Sequence, residues 1–170
     1  ALTVKVDYLD WILIEDCNFM GNGGSNDVPA DLMIQVTKPL EIDWANATSY
    51  KNLAKFGLRN SVFQNSMYTG SLGLIKNSQF YVSNCTFKNT SSGDGGVLKT
   101  SKGVYLLITD CEFRDVYAEQ KGGAMFVRES VVFVVGLKAW NSYSKSFGGL
   151  VASLSSIVSI KSCRVNGSQS

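Results

Sequence analysis

The stretch Asn84-Cys85-Thr86-Phe87-Lys88-Asn89 recurs as Asp110-Cys111-Glu112-Phe113-Arg114-Asp115, and this recurrence decides the fold. The same short pattern opens Asp16-Cys17-Asn18-Phe19 and Asn60-Ser61-Val62-Phe63, and weaker copies centre on Leu137 and Cys163. With the cysteine position as marker, Ser61, Cys85, Cys111, Leu137 and Cys163 lie 24, 26, 26 and 26 residues apart. A period this regular is the signature of a solenoid, in which each repeat is one rung that buries its apolar face only against its neighbours.

The residues around each marker alternate as strands do. Three positions before it stand Ile14, Leu58, Val82, Ile108, Val134 and Ile160, and five before it Ile12, Phe56, Phe80, Leu106, Val132 and Val158. Side chains two residues apart on a strand share a face, so both sets point inward. Two positions after the marker come Phe19, Phe63, Phe87, Phe113, Ala139 and Val165, also apolar. The residue just before the marker is Asp16, Asn60, Asn84, Asp110, Gly136 or Ser162, and four after it come Asn65, Asn89, Asp115, Asn141 and Gly167. These types tolerate a left-handed backbone, which places a turn at each. A third strand opens on glycine pairs in Gly95-Gly96-Val97-Leu98, Gly122-Gly123-Ala124-Met125-Phe126 and Gly148-Gly149-Leu150-Val151.

Three short strands and three turns in about 26 residues predict an all-β fold. It is a single-stranded parallel β-helix, a solenoid of about six coils stacked about 4.8 Å apart. The 44 residues from Cys17 to Ser61 exceed one coil, and the surplus near 38–53 reads as a loop thrown out from the rod. Residues 1–170 are expected to form one β-helix domain within a longer chain or an end-to-end stack.

Composition limits what such a rod does. Net charge is +2 and the 16 Lys and Arg are scattered, which gives no electrostatic case for nucleic acid. No apolar run approaches the roughly 18 residues of a membrane span. His is absent, which removes the commonest general base and metal ligand, and no cofactor is expected. The four cysteines, Cys17, Cys85, Cys111 and Cys163, all hold the marker position and form a predicted structural ladder with Phe19, Phe63, Phe87 and Phe113. No C-x-x-C spacing suggests a metal. Cys85 and Cys111 fall on adjacent coils, close enough for a disulfide, but parallel in-register side chains strain that bond, so buried free thiols are the preferred reading.

The pattern Asn84-Cys85-Thr86-Phe87-Lys88-Asn89 followed by Gly95-Gly96-Val97, and its copy ending Gly122-Gly123-Ala124-Met125, resembles the pectin-lyase-like right-handed parallel β-helices. It is more similar still to the repeats of chlamydial polymorphic outer-membrane adhesins and of large protist surface proteins. The resemblance implies an extracellular or cell-surface location and an adhesive or structural role. The chain has Phe-x-Asn where the chlamydial repeats have Phe-x-x-Asn. A polysaccharide hydrolase or lyase is disfavoured, because Asp110 and Asp115 hold the generic turn positions and the Gly-His-Gly motif of polygalacturonases is missing.

The expected partners are therefore copies or neighbouring segments of the chain end to end, with a carbohydrate or a host or matrix protein as the alternative. Candidate contacts are Trp44 and Tyr50 of the loop, with the outward Trp11 and Tyr105. Candidate N-glycosylation acceptors are Asn46, Asn89 and Asn166, each in an Asn-x-Ser/Thr triplet.

Overall fold

The computed structural model describes residues 2–6, 11–21, 31–36, 54–67, 70–75 and 78–170. The loop near 38–53, with Trp44, Asn46 and Tyr50, lies outside the described residues.

Strands follow one another in triplets, and each triplet is a rung. Rung one is β1 (Leu2–Val6), β2 (Trp11–Glu15) and β3 (Asn18–Met20). Rung two is β4 (Leu32–Val36), β5 (Ala54–Arg59) and β6 (Val62–Gln64), and rung three is β7 (Leu72–Ile75), β8 (Ser78–Ser83) and β9 (Thr86–Asp94). Rung four is β10 (Leu98–Thr100), β11 (Val104–Thr109) and β12 (Glu112–Lys121). Rung five is β13 (Met125–Arg128), β14 (Val131–Val135) and β15 (Lys138–Ser144), and rung six is β16 (Val151–Leu154), β17 (Ile157–Lys161) and β18 (Arg164–Asn166). Every strand pairs in parallel with its counterpart one rung away. Three six-stranded sheets result, wound through about five turns from the first rung to the last.

The register matches the sequence period. Phe19, Phe63, Phe87, Phe113, Ala139 and Val165 are successive partners along the third sheet. Their side chains stack inside: Phe19 on Phe63 at 4.5 Å between centroids, and Phe63 on Phe87 at 4.8 Å, nearly coplanar. Phe113 instead meets Phe87 edge-on at 5.4 Å and 85°, where Ala139 on the next rung leaves it room to turn. Both arrangements suit the ring quadrupoles.

The expected corners are left-handed. Asp16, Asn60, Asn84, Asp110, Gly136 and Ser162 have φ between 49° and 70°, as do Gly21, Asn65, Asn89, Asp115, Asn141 and Gly167. Two details differ from the sequence reading. The second set ends β3, β6 and β18 as expected, but β9, β12 and β15 run through it, because there the inter-rung pairing resumes one residue later, at Thr90, Val116 and Ser142. A further left-handed corner stands between the first and second sheets at Gly103, Glu129 and Ser155. It was hidden because Glu and Ser carry no strong preference for that backbone.

The glycine pairs divide two tasks. Gly122 has φ 64°, which L side chains rarely adopt. Gly123 lies so close to its neighbours that an added Cβ would overlap the Gly149 carbonyl and come within 2.8 Å of Ser142 Oγ. One glycine turns the chain and the next lets two rungs touch.

Candidate functional site

The marker column shows what its cysteines do. Each thiol donates to the carbonyl two residues before it: Cys17 to Glu15 at 3.2 Å, Cys85 to Ser83 at 3.3 Å, Cys111 to Thr109 at 3.3 Å and Cys163 to Lys161 at 3.1 Å. Ser61 makes the same bond through Oγ to Arg59 at 2.9 Å and also accepts from the Cys17 backbone N–H at 3.1 Å. The small donor at this corner adds a second bond to carbonyls that already accept an inter-rung backbone N–H: Arg59 from Asp16, Ser83 from Asn60, Thr109 from Asn84 and Lys161 from Gly136. All four cysteines are free thiols. The buried pair is coupled: contact with Cys85 and burial push the Cys111 thiol far above its ordinary value, while the same contact lowers Cys85.

The turn residues form ladders on the outside. Asn84 Nδ2 donates to Asn60 Oδ1 at 3.0 Å, Asn89 Nδ2 to Asn65 Oδ1 at 2.7 Å, and Asn141 Nδ2 to Asp115 Oδ1 at 2.8 Å. The amide nitrogen of Asn89 that glycosylation would use is thus engaged in the ladder. Asn166 is exposed on β18. Asp110 and Asp115 are exposed corner residues. Among the described residues no three Cys, Asp or Glu side chains converge as metal ligands.

The outer face of the second sheet carries the nominated aromatics. Trp11 is 59 % exposed at the start of β2. It reaches across Gly57 of rung two towards Tyr81 of rung three, at 6.4 Å between centroids. Tyr105 shares a column with Trp11 but stands three rungs on and packs on Phe133 at 5.7 Å. The structure therefore does not bring Trp11 and Tyr105 together as one contact. Tyr81 donates to Gln79 Oε1 at 2.8 Å, and burial, then the neighbouring Tyr105, raise its pKa.

Sequence reasoning missed the rest of this face. Leu13, Val135 and Ile157 are exposed, and Leu107, Val131 and Phe133 are half-buried. The available signal was a continuous apolar run, Val131-Val132-Phe133-Val134-Val135, where a strand wet on one side would alternate. Also missed was a corner where Lys121 lies 5.9 Å from the Phe126 ring centroid and 5.2 Å from that of Phe147. Lys99 also lies near this ring, its Nζ 6.0 Å from the Phe126 centroid.

No family model, curated protein or solved structure matches the chain. The geometry itself shows a parallel β-solenoid, and among the described residues no helix is long and apolar enough to cross a membrane.

Proposed function

We propose that this chain is a non-catalytic β-helix of an extracellular or cell-surface protein, structural or adhesive in role, whose sixth rung pairs with a further rung of the same kind. The observation that carries this reading is the repetition itself: every described strand pairs in parallel with its counterpart one rung away, a stack to which a further rung of the same kind can add. Ile160 is 43 % and Val165 44 % exposed, whereas their register mates Val134 and Ala139 are 0 % exposed. Apolar side chains and unpaired strand edges form a template for another rung. A second copy or a neighbouring segment of similar repeats would cover them. The resemblance to pectin-lyase-like helices and to chlamydial and protist surface repeats supports the surface location by analogy.

The test is light scattering after size exclusion, with negative-stain electron microscopy of the same fractions. End-to-end rods that lengthen with concentration support the proposal. Single short particles at all concentrations refute self-stacking. The exposed Trp11, lying over Tyr81, supports a second reading as a carbohydrate- or protein-binding module that also draws on Trp44 and Tyr50. Loss of glycan-array binding in Trp11→Ala and Trp44→Ala, with the fold retained, would favour it.

A further inference from the structure

Inside the rod, between the first and third sheets, four polar side chains replace a layer of core. Asp31 stands just before β4 and Ser66 just after β6, both on rung two, and the Ser66 hydroxyl donates to Asp31 Oδ2. Directly above them on rung three are Ser71 and Thr90. The Leu32 N–H donates to the Ser71 carbonyl at 3.0 Å, and the Ser91 N–H to the Ser66 carbonyl at 2.8 Å, which fixes that stacking. All four residues are at most 1 % exposed. Ser71 Oγ and Thr90 Oγ1 are buried without a hydrogen-bond partner.

The same two columns continue on rung four as Val97 and Val116, both in the apolar core. Valines therefore fit this layer of the rod. On rung two the larger Asp31 offsets the smaller Ser66, but on rung three Ser71 lacks a branch methyl that Val97 carries while Thr90 matches Val116 in size, so the pair is one carbon short of the valines above it. Leaving two hydroxyls unbonded there carries a desolvation penalty that valine would avoid.

We propose that the Asp31–Ser66–Ser71–Thr90 quartet is a built site for one permanently bound water molecule. A buried water makes about three hydrogen bonds. Here it accepts from Ser71 and donates to Thr90 Oγ1 and to the Asp31 carboxylate. Asp31 makes a further interaction besides the Ser66 bond, and a carboxylate with about four lone-pair sites can accept more than these two. A cation is the weaker occupant, because it takes lone pairs only and leaves both hydroxyl protons without acceptors in an apolar layer. The site links rungs two and three at the corner where the third sheet passes to the first.

Two measurements test this. A crystal structure at high resolution should show one ordered peak within hydrogen-bonding distance of Ser71 Oγ and Thr90 Oγ1, unchanged after rubidium soaking. An empty pocket, or an anomalous rubidium signal there, overturns the proposal. Oxygen-17 relaxation dispersion on the intact protein should lose the contribution of about one long-lived water in the double variant Ser71→Val/Thr90→Val. Identical dispersion in a folded variant overturns it. If the variant does not fold, the wild-type density decides alone.

Discussion

Phe63 is fully buried between Phe19 and Phe87, so its ring fills a layer that no neighbour can collapse into. Phe63→Ala is expected to destabilise the rod by about 3–5 kcal/mol, read as a lower urea midpoint. A loss below about 1 kcal/mol would mean that the layers relax far more than close packing allows. Cys111 gives a pH prediction. Its native pKa lies above the unfolded thiol value of about 8.5, so its contribution is fully present below that pH. Above it, unfolding releases a proton that the native state retains, and stability falls as pH rises. Cys85 shifts the other way and opposes this trend, most of all below the unfolded thiol value. Urea midpoints at pH 7, 9 and 10 should show the decline, and Cys111→Ser should flatten it; equal slopes in the two proteins would exclude this thiol as the cause.

At the scale of the rung, stability depends on corners. Asn89 combines a left-handed backbone, φ 53°, with the bond to Asn65. Asn89→Ala is expected to cost about 1–2 kcal/mol from the backbone alone, and Asn89→Gly less, because glycine keeps the conformation and loses only the side-chain bond. If the alanine variant proved the more stable of the two, the ladder and not the backbone would set the residue choice. The glycine pairs predict a similar contrast. An added Cβ at Gly123 overlaps the Gly149 carbonyl, whereas Gly93 has open space around it and a negative φ. Gly123→Ala should lower the melting temperature sharply and Gly93→Ala should leave it level or slightly raised. Scanning calorimetry of the pair separates steric contact from any general intolerance of substitution.

For the whole molecule, each rung is stabilised by its neighbours, and rung six presents Ile160 and Val165 as exposed apolar side chains. Val165→Lys places a charge on the exposed apolar end, beside Ala139 of rung five. In the proposed assembly this variant stays monomeric at concentrations where the parent chain forms rods, while its circular dichroism is unchanged. Rods of undiminished length in the variant would place the contact elsewhere, with the apolar outer face of the second sheet next in order.

The amino-acid sequence determined the strands, the inward columns and most left-handed corners. Each rests on a local rule repeated six times: apolar residues two apart, and Asn, Asp or Gly where φ is positive. It placed the cysteines and phenylalanines in register because the spacing is constant. Only the tertiary structure showed that on rungs three to five the second left-handed corner bends a strand without ending it, since inter-rung hydrogen bonds decide that. Only it separated Trp11 from Tyr105 by three rungs, and revealed that Glu129 and Ser155 take a backbone foreign to their types. The Asp31–Ser66 contact was likewise invisible in the sequence. Its partners lie 35 residues apart across the interrupted repeat, and only winding the chain once around brings them to the same rung.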